Sequence, residues 1–158
     1  MGMAETNHCG SCTLCCKLLD IAELEKPAGR WCPHCAIGKG CTVYETRPRP
    51  CRDFECLWLV SQRGAKPFAP DLRPDKSKLV LYFAEGDRDV LGACDPGAPD
   101  AWKEPAVLAL LQSLSRAGRR VMFGNGRQHY AMDRERARPV ELAPPDEIGI
   151  RAFVRFLD

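Results

Sequence analysis

The chain has no apolar run approaching the length of a bilayer span. Its opening residues, Met1 to His8, are polar and lack the apolar core of an export signal. Neither sign of charge dominates, since 23 Lys and Arg stand against 21 Asp and Glu, a net +2. That balance leaves no overall electrostatic footprint for nucleic acid, and the ordinary apolar content argues against disorder of the whole chain. Beyond a Cys-x2-Cys spacing there is no internal repeat, and no cofactor fingerprint follows the cysteines. These absences lead us to expect a cytoplasmic protein without a membrane partner, whose 158 residues make one domain or one domain with a metal-bound lobe.

What the chain does have is cysteine. It has ten, and all but Cys94 fall between Cys9 and Cys56. The first group is Cys9-x2-Cys12-x2-Cys15-Cys16, and the second is Cys32-x2-Cys35, then Cys41, Cys51 and Cys56. Two residues between cysteines let one turn of backbone aim both sulfurs at one ion. A Cys-x2-Cys pair repeated after about 15 to 20 residues is a zinc-site spacing. A disulfide framework is the competing explanation, but without export the thiols stay reduced. The expectation is therefore an all-cysteine metal centre made from Cys9, Cys12, Cys15, Cys16, Cys32, Cys35, Cys41, Cys51 and Cys56.

A structural zinc site takes four ligands and leaves no open position, so nine cysteines suffice for two zinc ions. Cys15 and Cys16 are adjacent. On a helix their side chains diverge by about 100°, so we expect them to serve different sites, or one of them to pack. His8 and His34 sit inside the cluster and are possible substitute ligands. Arg47, Arg49 and Arg52 flank Cys51 and would offset the negative charge of thiolate-bound zinc. Trp31, Phe54 and Trp58 would shield the sulfurs or belong to the core.

An iron–sulfur cluster is the main alternative. Cys9-x2-Cys12-x2-Cys15 matches the first three ligands of a bacterial ferredoxin run, in which the fourth cysteine precedes proline. Here the cysteine before a proline is Cys32, at a longer distance. Sulfur-only ligation suits both kinds of centre. A third reading, a zinc-ribbon-like module that binds nucleic acid or protein, draws on Arg116, Arg119, Arg120, Arg127, Arg134, Arg136 and Arg138. Interspersed acids favour a solvated face there instead, so nucleic acid is not an expected partner. Metal ions are the expected partners, and the sequence specifies no protein partner.

The run Cys9-x2-Cys12-x2-Cys15-Cys16, followed by Gly40-Cys41-x-Val43-Tyr44-x2-Arg47-Pro48-x2-Cys51-Arg52-x-Phe54, resembles the CxxCxxCC family. That family is described as a zinc- or iron-chelating domain of bacterial proteins. The resemblance covers roughly residues 9–58 and implies metal binding by Cys9, Cys12, Cys15, Cys16, Cys41 and Cys51. Cys32, Cys35 and Cys56 fit the same region. One branch, the flagellin lysine methylases, joins a similar motif to a modifying enzyme. This chain is short and shows no cofactor fingerprint after the cysteines, so that activity is not implied.

The composition changes near residue 62, and the chain divides into a cysteine-rich region, 1–62, and a small α+β region, 63–158. In the first, apolar residues at Leu14, Leu18, Leu19 and Ile21 predict helix within residues 14–25. In the second, residues 64–78 read as loop. Residues 79–83 read as a strand with 89–94 as its hairpin partner. Val107, Leu108, Leu110, Leu111 and Leu114 give a helix over 101–117, with Asp100 as N-cap. Gly124-Asn125-Gly126-Arg127 predicts a second hairpin, and 146–157 a helical tail. The fold class expected is α+β: a metal-bound cysteine-rich half packed with a small antiparallel sheet, one main helix and a helical tail. No catalytic residue is identified. Glu45, Asp53 and Glu55 read as surface acids, Cys94 as a small buried apolar residue, and His129 as structural.

Overall fold

The computed structural model describes residues 11–84, 88–142 and 154–156. His8, Cys9 and most of the expected C-terminal helix lie outside them. The cysteine-rich region is a chain of short elements: α1 (Leu14–Leu18), a hairpin of β1 (Cys35–Ala36) and β2 (Gly40–Cys41), α2 (Arg49–Asp53) and α3 (Leu57–Ser61). The predicted helix over 14–25 shrinks to α1 and a separate 3-10 turn, Ala22–Leu24. Between them Ile21 and Lys26 pair backbone to backbone, and Glu25 takes a left-handed φ of 50°. The expected loop over 64–78 contains a 3-10 turn, Pro70–Leu72, and α4 (Pro74–Ser77). In each, proline occupies the first helical position, where its missing N–H costs nothing.

The sheet comprises β3 (Leu79–Phe83), β4 (Asp89–Cys94), β5 (Arg120–Gly124), β6 (His129–Asp133), β7 (Arg136–Leu142) and β8 (Val154–Phe156), in that spatial order. Both expected hairpins are present: Leu81 faces Gly92, and Phe123 faces Tyr130. The expectation of a purely antiparallel sheet is corrected, because β4 and β5 run parallel. The reason is α5 (Pro105–Arg116), a crossover that carries the chain back before it re-enters the sheet. Pro105 opens α5, with Glu104 rather than Asp100 before it, and Asp100 precedes a 3-10 turn instead. Gly118 closes it at φ +90°, with Arg119 N–H donating to Leu114 O and Gly118 N–H to Ser115 O. That is the Schellman pattern.

The helical tail is also corrected where it can be seen. Residues 154–156 form a strand, with Phe156 opposite Val140. Val154 and Phe156 are apolar at a two-residue spacing, and the free edge of β7 offers backbone groups to pair with. Strand β7 itself carries no turn signal before it. Its turn is Arg134-Glu135, with Arg134 at φ 52°. It is held from α5, where Arg116 pairs with the Glu135 carboxylate, Gln112 donates to Glu135 O and Ser115 Oγ accepts from Arg134 N–H.

Strand β3 is covered on both faces. Leu79 and Leu81 join Val90, Cys94, Val107, Leu111, Val121 and Phe123 in the main core beneath α5. Val80, fully buried, faces the other way onto Leu14 and Leu18 of α1, with Phe54, Tyr82 and Ala93 alongside. An ion pair ties the same two layers together, Lys17 Nζ to Asp95 Oδ1 at 2.8 Å. Burial alone would raise the Asp95 carboxyl, but the Lys17 hydrogen bond, the Gly97 amide and the nearby lysine charges hold it below 3.8. Its stabilising contribution is therefore complete above pH 3.8 and disappears as pH falls through the lower folded value. Replacing Lys17 with Met should cost on the order of 1–3 kcal/mol at neutral pH. In urea unfolding, the gap from the wild type should close as the pH falls below the range where Asp95 titrates. A gap that persists in strong acid would contradict this assignment.

Candidate metal centre

Local hydrogen bonds draw the two cysteine groups together. Cys15 and Cys16 lie on α1, and the Cys16 carbonyl accepts the Cys32 N–H at 3.0 Å. Cys32 O in turn accepts the Cys35 N–H at 3.0 Å, which closes the Cys32-Pro33-His34-Cys35 turn. Cys35 and Cys41 are direct partners across β1 and β2, which puts their side chains on one face of the hairpin. Thr13, immediately before α1, accepts the Gly38 N–H at 3.1 Å and fixes the tip of that hairpin against the helix. Cys51 lies on α2, and Cys56 immediately precedes α3.

The result is one cavity of about 400 Å³ walled by Cys12, Cys15, Cys16, Cys32, Cys41, Cys51 and Cys56. Of the nine cysteines expected as ligands, Cys35 does not wall the cavity but hydrogen-bonds the Cys16 thiol, and Cys9 is outside the described residues. Cys15 and Cys16, expected to serve different sites or to have one of them pack, hydrogen-bond each other and both line this cavity. Among the described residues, however, no three His, Cys, Asp or Glu side chains are gathered closely enough to hold an ion. The sulfurs share a cavity without forming a coordination shell.

The thiols are electrostatically unequal. A hydrogen bond from Cys15 pulls the Cys16 thiol down to about 6 against the effect of its burial, and Cys35 and the Lys26 charge act in the same direction. Burial and the neighbouring Cys16 push Cys35 up to about 11. Burial raises Cys51, as do the fields of Cys16, Cys32 and Cys41, while Arg47 works against them. Burial also raises Cys56, which lies in the field of Cys12. Cys16 thus acts on both Cys35 and Cys51, and Cys12 on Cys56.

Of the flanking arginines, Arg47 and Arg52 reach the cavity, and Arg49 pairs with Asp53 on the surface. The Arg47 guanidinium lies over the Tyr44 ring at 3.9 Å, and its buried Nε has no hydrogen-bond partner. Phe54 and Trp58 wall the cavity, whereas Trp31 lies beneath the Lys17 ammonium instead. His34 reaches the wall, as does Glu55, which pairs with Arg63. Among the later arginines, Arg116 pairs with Glu135, Arg120 with Asp89 and Arg138 with Asp133. His129 is exposed, with its ring packed close to Gly124.

Sequence reasoning missed Lys26. It is buried, and its ammonium donates to the carbonyls of Lys17 and Pro27 at 3.1 Å and to that of Leu19. Burial lowers its pKa, and the charges of Cys32, Cys16, Asp20 and Cys15 act in the opposite direction. Nothing in Glu23-Leu24-Glu25-Lys26-Pro27 marks a buried cation. No protein-family model, curated protein or solved structure matches the chain, so the family resemblance rests on the motif itself.

Cys94 stands apart. It is 2% exposed in the main core, and burial pushes its thiol up to about 11. In the native protein an alkylating reagent should label the cavity thiols while Cys94 stays unmodified until unfolding. Peptide mapping that finds Cys94 labelled as fast as Cys12 would contradict this placement.

Proposed function

We propose that this is a metal-binding protein of the CxxCxxCC type, with an all-cysteine centre that holds two zinc ions in a structural or metal-holding role. The observation that carries the reading is the convergence of seven thiols from both cysteine groups on a single cavity. The donor set is soft and rich in sulfur, which is the chemistry that selects zinc and iron–sulfur centres. Two buried or cavity-facing cations, Lys26 and Arg47, lie where thiolate charge would accumulate. The Arg47 Nε–H lacks an acceptor, and a metal-bound thiolate of Cys51 would supply one.

The ligands would come from the nine cysteines of the region, with side-chain rearrangement on metal entry closing each shell. Zinc bound in this way has no redox chemistry and no open position. It supplies folding free energy, on the order of 10 kcal/mol for small zinc modules. The cysteine-rich region needs such a contribution because few of its residues are buried and apolar. A specific observation also favours a second reading, an iron–sulfur cluster with redox or sensing duties. The sulfurs surround one continuous space of about 400 Å³, wider than a zinc ion with sulfurs at about 2.3 Å would occupy.

The test is the metal and acid-labile sulfide content of protein purified without oxygen, together with its visible spectrum. The expected result is a colourless protein with about two zinc ions per chain, whose thermal midpoint falls on chelation. Iron with sulfide would favour the second reading. Protein that carries no metal, and whose circular dichroism melt ignores added zinc and ferrous iron, would overturn both.

A further inference from the structure

The end of α1 that carries Cys15 and Cys16 has a buried cation fixed against it. The last carbonyls of a helix have no intrahelical partner and attract positive charge. Here Lys17 O and Leu19 O, together with Pro27 O, accept all three hydrogen bonds that an ammonium offers, and the donor is Lys26. The cage is rigid. Ile21 N–H donates to Lys26 O at 2.9 Å and Lys26 N–H to Ile21 O at 3.1 Å, so the backbone of Lys26 is pinned as firmly as its side chain. Lys17, whose carbonyl holds the ammonium, directly follows Cys16, and the Cys16 carbonyl receives the Cys32 N–H.

Among the described residues no ion pair joins Lys26 to an acid, and the neighbouring lysine, Lys17, takes Asp95 for itself. Asp20 lies in its field but is exposed to water. A buried charge with no counter-charge is costly, and carbonyl dipoles only partly offset it. Cys16 directly precedes Lys17, whose carbonyl holds the ammonium, and the charges of Cys32, Cys16 and Cys15 act on Lys26 as well.

We infer that Lys26 is a positioning residue of the cysteine centre, its caged ammonium serving as the fixed counter-charge for metal-bound thiolates at Cys16 and Cys32. The inference rests on the metal-binding reading above and adds an electrostatic support to it. A tetrathiolate zinc centre is doubly negative, and Lys26 and Arg47 would flank it from two sides. Lys26 would then have two tasks, to terminate α1 and to place a fixed positive charge beside the Cys16 end of the centre.

The experiment compares zinc affinity, by competition with a chromophoric chelator, in the full-length wild type, Lys26→Gln and Lys26→Arg. Glutamine keeps a donor for the carbonyl cage but loses the charge, and arginine keeps the charge. The expected result is zinc binding roughly tenfold to a hundredfold weaker in Lys26→Gln, with Lys26→Arg close to the wild type. The thermal midpoints of the metal-free proteins, measured in parallel, should differ less than those of the zinc-loaded ones, which a purely structural staple would not produce. Equal affinity in wild type and Lys26→Gln would overturn the inference. So would equal weakening in both variants, which would mean that the shape of the cage matters and its charge does not. A wild type that binds no zinc would instead defeat the underlying reading, and that result is visible before any variant is made.

Discussion

The structure depends on one strand being buried from both sides. In β3, Val80 and Leu81 are neighbours in sequence and pack into different layers. Leu81 belongs to the core beneath α5, and Val80 receives Leu14 and Leu18 of α1. Each such fully buried aliphatic side chain stabilises by roughly 1.5–3 kcal/mol. The Lys17–Asp95 pair contributes no more than one of them, so apolar contact supplies the docking energy and the ion pair fixes its register. Without the Val80 face, the cysteine-rich region would have little to fold against, because its own short helices bury few apolar side chains.

That docking explains why the thiols converge. Helix α1 carries Cys15 and Cys16 on the same turn as the two leucines that meet Val80. Phe54, between Cys51 and Cys56, meets the Tyr82 ring edge-on with centroids 5.4 Å apart. The elements that anchor the region to the sheet are therefore the elements that bear the sulfurs. The Cys32–Cys41 hairpin is added through the Cys16 carbonyl and the Thr13 hydroxyl. Packing brings the thiols to one cavity. On the proposed reading, a bound ion would close them into a shell by side-chain rearrangement, since the thiols alone do not form one among the described residues.

Much of the second half was legible because its signals are local. Residues 79–83 are apolar and β-branched, Gly124-Asn125-Gly126-Arg127 marks a tight turn, and the leucines of α5 repeat at helical spacing. The parallel β4–β5 pair was not legible, because strand direction depends on where a crossover helix packs and not on the strand residues. Strand β7 was hidden by an Arg-Glu turn without glycine or asparagine, stabilised from α5 far away in sequence. In the first half, seven of the nine cysteines expected as ligands line the cavity, while Cys35 does not and Cys9 lies outside the described residues. Cysteine spacing left open how Cys15 and Cys16 divide between sites, because that depends on how α1 sits against the rest of the cavity wall. Lys26 had no local signature, because its role comes from three carbonyls that converge only in the fold.

The central claim is that the sulfurs around this cavity are metal ligands. X-ray absorption at the metal edge of protein purified without oxygen tests it most directly. The account predicts a first shell of sulfur alone, at about 2.3 Å for zinc. A first shell of nitrogen or oxygen, from His34, Asp20 or Glu55 of the same wall, would contradict it.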